Sequence, residues 1–238
     1  MTPPPPSADW AYFLDVDGTL VALAPTPDAA RLTDAAHAAV RALRARAGGA
    51  LALVSGRSLA DLDAFFGAPL LAAAGQHGLE QRGADGRLMR FALPPGGMET
   101  ARARLAAVVS RTPGLLLEDK GMSLALHYRA APRLGGYAHR MMRGLARELG
   151  PPYSVQVGKR MVELRPASLH KGDAIAAFMA GAPFRGRVPV FIGDDATDEH
   201  GFAVVNGLGG HSIKVGPGRT QAEWWLPDVD AVCAWLSS

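Results

Sequence analysis

The apolar run from Trp10 to Leu14 ends abruptly in Asp15-Val16-Asp17-Gly18-Thr19, and no other stretch restricts the fold as much. A short run of bulky apolar residues is how a strand buried on both faces reads. Strand side chains alternate, so Asp15 and Asp17 project to the same side, and Gly18 lets the chain turn away and leave both carboxylates accessible. Two like charges at that spacing repel. They persist together where a cation neutralises them or one carries a proton, and both conditions suit the movement of a phosphoryl group. An ordinary Asp-Gly turn is spelled the same way, so the rest of the chain must decide.

Beyond this pentapeptide the chain keeps an α/β rhythm. Thr33 is the expected N-cap of a helix carrying Val40 and Leu43, which Gly48-Gly49 stops before the apolar run Ala50 to Val54. Ser55-Gly56-Arg57 closes that strand, and Ser58 with Asp61 spells a capping box for a helix bearing Leu59, Leu62, Phe65 and Phe66. Leu70 to Ala74 reads as another strand ending in Gly75-Gln76-His77-Gly78, and Leu79 to Leu93 as a hairpin around Asp85-Gly86. The grammar then changes to a helix up to Ser110, strands near 115–120 and 123–129, a helix near 133–149, and strands near 153–159 and 161–165. From His170 the rhythm resumes with a helix to Met179, the strand Val188 to Ile192, an acidic loop from Gly193 to Glu199, a strand at His211 to Val215 and a closing helix.

This order predicts an α/β protein, a Rossmann-like parallel-sheet core interrupted by an inserted α/β cap of αββαββ pattern. The expected core is 10–95 with 168–238 and the cap 96–167. Residues 1–9, with their four consecutive prolines, read as a disordered tail. Hinges are expected at Pro94-Gly97 and Pro166-Ser168.

Composition narrows the function. Of 238 residues 48% are apolar, enough for a sizeable core. The net charge of +3 is not gathered into a basic run and only 7% of residues are aromatic, which argues against nucleic acid. The single cysteine, Cys233, cannot pair within the chain, and the N-terminus has neither the basic nor the apolar region of a secretion signal, so the cytoplasm is the expected compartment. No stretch reaches the ~18 apolar residues of a membrane span. A monomer is expected.

A second acidic group, Asp194, Asp195, Asp198 and Glu199, comes after the apolar run Val188 to Ile192. In a parallel sheet its strand end would lie beside that of Asp15, and hard oxygen ligands from two strand ends suit Mg²⁺. Ser55 offers a hydroxyl at a third strand end. Lys171 opens the helix after the cap, in a chain that has only three other lysines, Lys120, Lys159 and Lys214.

The ordered set Asp15-Val16-Asp17-Gly18-Thr19, Ser55, Lys171 and Gly193-Asp194-Asp195 with Asp198 resembles the four motifs of the haloacid dehalogenase superfamily of phosphohydrolases. More narrowly, FLDVDGTL, SGR, GQHGLE, EDKGMSLALHYR, VELRP, HKGDA and GDDATDEHGF resemble the trehalose-6-phosphate phosphatase family from Phe13 to Val215. The resemblance implies Asp15 as nucleophile and Asp17 as general acid and base, with Ser55 and Lys171 on the phosphoryl oxygens. It implies Mg²⁺ on Asp15, Asp17 and Asp194, supported by Asp195 or Asp198. Alternatives are another capped sugar phosphatase, for sucrose or mannosyl phosphate, and a non-catalytic sugar-phosphate sensor.

Alternation in the cap strands puts Leu115, Leu117, Leu124, Leu126 and Tyr128 on apolar faces. Glu118 with Lys120, His127 with Arg129, and Glu163 with Arg165 fall on the opposite ones. Such a face suits a polyhydroxyl ligand or plain cross-strand ion pairs. The resemblance implies that Glu118, Lys120 and Glu163 grip sugar hydroxyls, with Arg57, His77 and Arg129 also among the substrate contacts. Trp224, Trp225 and Trp235 read as helical core residues, and Val215-Gly216-Pro217-Gly218 as a turn.

Overall fold

The computed structural model describes residues 1–24, 30–67, 71–91, 96–167 and 169–238. Along the chain these form β1 (Trp10–Leu14), α1 (Asp34–Arg46), β2 (Leu51–Val54), α2 (Leu59–Phe66), β3 (Ala72–Gly75), β4 (Glu80–Arg82) and β5 (Leu88–Arg90). Then come α3 (Gly97–Val109), β6 (Leu116–Asp119), β7 (Leu124–His127), α4 (Gly135–Leu149), β8 (Tyr153–Gly158) and β9 (Met161–Pro166). The chain closes with α5 (Lys171–Met179), β10 (Val188–Gly193), α6 (Glu199–Gly207), β11 (His211–Val215), β12 (Trp224–Leu226) and α7 (Val229–Leu236). Two compact units result, Met1–Arg90 with His170–Ser238, and Phe91–Leu169.

The first unit holds one sheet in the order β12-β11-β10-β1-β2-β3-β4-β5. The six strands from β12 to β3 run parallel, β4 pairs antiparallel with β3, and β5 pairs antiparallel with β4. From Ala11 onward β1 is wholly buried, as is β2, and both are built of Ala, Val, Leu, Tyr and Phe, because helices cover both faces of a parallel sheet. Phe13 stacks on Phe178 and Phe184 at centroid distances of 6.0 and 5.5 Å. Truncating so buried a phenylalanine to alanine costs about 3–5 kcal/mol. Thr33 caps α1 by accepting the Ala36 N–H, and Ser58 and Asp61 form the expected capping box of α2. Leu14 is in register with Ile192 on one side and Leu53 on the other, so β10, β1 and β2 end side by side.

Three expectations are corrected. The proline-rich N-terminus is extended but held: Met1 O accepts the Trp225 N–H, Pro4 O the Trp235 indole, Ser7 O the Tyr12 hydroxyl and Ala8 O the Arg187 guanidinium. Trp224 and Trp225 lie on strand β12, not on a helix, and Trp225 is 48% exposed. Directly after the acidic loop comes α6, whose mixed Gly, Val and Asn content hides its period. Leu70, Ala92 and Leu93 of the expected strand and hairpin, and Pro94, Pro95 and Ser168 of the expected hinges, lie outside the described residues.

The second unit is an antiparallel sheet in the order β6-β7-β9-β8 with α3 and α4 packed on one face. Leu124, Leu126, Val162 and Leu164 are fully buried against Met98, Leu105, Met142 and Leu145 from those helices. Glu118 pairs with Ala125, Ala125 with Glu163 and Glu163 with Gln156, so these side chains form one row on the face away from the helices.

Candidate active site

Strand ends, loops and one helix start converge in the first unit. Asp15 directly succeeds β1 and continues the ladder through its N–H to Ile192 O at 3.0 Å. Its carboxylate is buried and accepts Lys171 Nζ at 2.8 Å. Lys171, the first residue of α5, also donates to Asp198 Oδ1 at 2.6 Å. The remaining Asp198 oxygen accepts the backbone N–H groups of Asp194 and Asp195 at 2.9 and 3.0 Å, which fixes the loop after β10. A Cβ at Gly193 would stand 2.3 Å from Asp198 Cγ, so only glycine lets that carboxylate fold back.

The charge balance is strained toward the negative. Burial, reinforced by Asp198 and Asp194 against the pull of Lys171, pushes the Asp15 carboxyl well above its ordinary range. Burial and the charges of Asp195 and Asp198 raise Asp194 to about 7. Burial also raises Asp198. Lys171 holds its proton tightly: burial opposes the charge, but Asp15 and Asp198 outweigh it. Carboxylate oxygens of Asp15, Asp194 and Asp198 lie within 4.8 Å of one another. Raised carboxyls on hard oxygen donors are what a small divalent cation would relieve, so the residues fit the expected Mg²⁺.

Asp17 and Arg57 form a separate pair: Arg57 Nε and Nη2 each reach a different Asp17 oxygen at 2.7 Å. Arg57 is fixed by its own N–H on Ser55 Oγ at 3.2 Å, by its carbonyl accepting the Gln76 N–H at 2.8 Å, and by the Phe65 ring 4.3 Å from its guanidinium carbon. Ser55 is buried at the end of β2. His77 stands with positive φ beside Gly56, where a Cβ would meet its ring at 2.9 Å. The pentapeptide at 15–19, Ser55, Lys171 and the acidic loop therefore belong to one unit and one sheet edge. Sequence reasoning assigns no role to Lys214; it is buried on β11 and donates to Asp194 O and Val215 O, both at 2.6 Å. The rarity of lysine in this chain is the signal that could have found it.

In the second unit the expected polar face is present. Glu163, 2% exposed, accepts Ser123 Oγ at 2.5 Å and faces Lys120 Nζ at 3.5 Å. His127 Nε2 meets Glu118 Oε2 at 2.7 Å. Burial opposes the Glu118 charge, but the His127 hydrogen bond and the Lys120 charge hold the carboxyl below its usual range. Arg165 contacts Gln156 across the β8–β9 pair. Arg129 lies beyond the end of β7, exposed, with Nη2 3.5 Å from Lys159 O.

A parallel sheet with aspartates after β1 and β10, a buried lysine from α5 and an inserted antiparallel unit define an α/β phosphohydrolase fold of haloacid dehalogenase type. Residues 13–228 match the family model described as Trehalose-phosphatase, and the chain belongs to that family. It is 44% identical to a trehalose-6-phosphate phosphatase of Escherichia coli (strain K12) over 230 residues, 97% of this chain and 86% of that one. A probable trehalose-phosphate phosphatase of Sinorhizobium fredii (strain NBRC 101917 / NGR234) is 45% identical over 226 residues, covering 94% and 85%. The C-terminal domain of C. albicans trehalose-6-phosphate phosphatase shares the fold, with a TM-score of 0.85 at 24% identity over 97% of this chain and 91% of that one.

Proposed function

We propose that this protein is a cytoplasmic, monomeric phosphatase that hydrolyses trehalose 6-phosphate to trehalose and phosphate, with Mg²⁺ and through an aspartyl-phosphate on Asp15. The observation that carries the reading is the buried Asp15, Lys171 and Asp198 triad beside Asp194, in a chain that belongs to the trehalose-phosphatase family. A single cysteine in 238 residues supports the compartment, since it suits reducing conditions.

Asp15 supplies the attacking oxygen: a bond forms from Asp15 to phosphorus as the bond from phosphorus to the sugar oxygen breaks. Asp17 gives that oxygen its proton, then takes one from the water that cleaves the acyl phosphate. Lys171 and Ser55 hold phosphoryl oxygens, so the gain is mostly positioning and charge neutralisation. Asp15, Asp194 and the Asp17 backbone carbonyl would hold Mg²⁺, with Asp195 and Asp198 bracing them. Held there, the cation would supply charge neutralisation to the transferring phosphoryl group. Glu118, Lys120 and Glu163 bind sugar hydroxyls, with His77 and Arg129 among the further substrate contacts, whereas Arg57, also expected there, meets the Asp17 carboxylate.

Phosphate release should be measured with trehalose 6-phosphate, sucrose 6-phosphate, glucose 6-phosphate and an aryl phosphate, with Mg²⁺ and with chelator. Expected is Mg²⁺-dependent release strongly favouring trehalose 6-phosphate, abolished in Asp15→Asn. Release mainly from another sugar phosphate would overturn the substrate, and binding without release would make the protein a sensor.

A further inference from the structure

The bidentate pair between Arg57 and Asp17 has a geometry that a surface salt bridge lacks. Arg57 is 9% exposed, and two of its N–H directions are committed to the two Asp17 oxygens at 2.7 Å each. One face of the guanidinium lies over Phe65, and the backbone on both sides of its Cα is tied down by Ser55 Oγ and Gln76 N–H. Further out, Glu80 accepts the Leu59 N–H at 3.0 Å and so anchors the start of α2. A planar fork held on one face and at its root leaves the Asp17 carboxylate one orientation in which both contacts are made.

We propose that Arg57 is a positioning residue that aims the Asp17 carboxyl at the departing oxygen, and that Phe65 is the plate that keeps the fork in plane. This rests on Asp17 being the general acid and base. The two contacts hold the Asp17 carboxyl in the plane of the guanidinium fork and so set the direction in which it meets the sugar oxygen. The balance is that of the hydrolysis itself: the electron pair of the breaking phosphorus–oxygen bond goes to the sugar oxygen, which takes the proton from Asp17. Lysine could keep one contact but not two parallel ones.

The test is the dependence of kcat/KM on the leaving group, because kcat/KM reports only steps up to phosphoryl transfer and omits hydrolysis of the aspartyl-phosphate. Trehalose, leaving trehalose 6-phosphate, is a poor alkoxide and needs the proton, whereas p-nitrophenolate, leaving p-nitrophenyl phosphate, is stable and does not. In Arg57→Ala the loss on trehalose 6-phosphate should be about 100-fold, as for a general acid mispositioned by an ångström. The loss on p-nitrophenyl phosphate should be no more than about threefold. Arg57→Lys and Phe65→Leu should show the same asymmetry at smaller size, and added guanidinium should restore Arg57→Ala on the sugar phosphate only. Equal losses on both substrates would overturn the proposal and make Arg57 a phosphate contact. Should Arg57→Ala fail to fold, the same comparison of substrates in Arg57→Lys and Phe65→Leu decides between the two roles. Asp17→Asn separates the two readings: without leaving-group dependence there, the acid role of Asp17 itself fails. With it present in Asp17→Asn and absent from the Arg57 and Phe65 variants, only the positioning role falls.

Discussion

Gly18 and Asp194 occupy almost the same space: a Cβ on Gly18 would stand 2.1 Å from Asp194 Oδ2, and Gly18 itself has φ +82°. The carboxylate from the loop after β10 is thus laid against bare backbone of the loop after β1. Gly18→Ala should cost about 1–2 kcal/mol in backbone strain alone. It should also push Asp194 away from Asp15. The expected result is a higher Mg²⁺ concentration for half-maximal activity together with a lower melting temperature. An unchanged Mg²⁺ requirement would separate Asp194 from the metal.

Removing the charge of Lys171 leaves Asp15 and Asp198 buried without their cation. Lys171→Met should abolish turnover and destabilise the fold by about 3–5 kcal/mol, the usual cost of stranding one side of a buried ion pair. Urea unfolding followed by circular dichroism reads the second effect independently of the first.

Glu163 is buried yet surrounded by donors, Ser123 Oγ and Lys120 Nζ, and it shares the polar face of the second unit. Glu163→Ala should raise KM for trehalose 6-phosphate by about 10- to 100-fold, the range for a charged hydrogen bond worth roughly 1.5–3 kcal/mol. The effect on an aryl phosphate, which has no sugar, should be markedly smaller. A loss shared by both substrates would assign Glu163 to the architecture of the sheet instead.

Tyr12 gives the alkaline limb of stability. Burial pushes its hydroxyl up from 10.0 to about 12, against the opposing pull of the charges of Arg46 and Arg187. A folded-state value above the unfolded one means the native state keeps its proton longer. Its contribution is therefore complete below pH 10.0 and is lost as pH rises from there through about 12. Tyr12→Phe should lower stability near neutrality by about 1 kcal/mol, for the hydrogen bond, and flatten that alkaline decline. Chemical denaturation at a series of pH values from neutral upward measures both.

Much of the fold and of the site is legible in the sequence. Buried strands β1, β2 and β10 are short apolar runs that end in chemistry-bearing residues, and the parallel topology fixes their neighbours once the order of elements is read. Alternation in the second unit places Glu118, His127, Glu163 and Arg165 on one face because period two admits no other arrangement once the leucines are buried. Long-range pairings are not legible. The contact of Arg57 with Asp17 spans 40 residues and depends on where a loop turns, and the contacts of Lys214 with backbone carbonyls depend on atoms that every residue shares. The tail is misread for a different reason: prolines spell an absence of helix, and its attachment comes from carbonyls that receive Trp225, Trp235, Tyr12 and Arg187.

The antiparallel sheet of the second unit ties its polar face to foldability. Slipping β9 by one residue would turn Glu163 and Arg165 into the apolar layer beneath α3 and α4 and send Val162 and Leu164 to the polar face. Moving two charges from their polar partners Ser123, Lys120 and Gln156 into an apolar layer is so unfavourable that the hydrophobic layer guards the identity of the polar one. The polar positions can accordingly be exchanged one at a time while the leucines and valines keep the strands in place. On the proposed reading, in which that face holds the sugar, new sugar preferences are then open to selection or engineering without renegotiating how the chain folds.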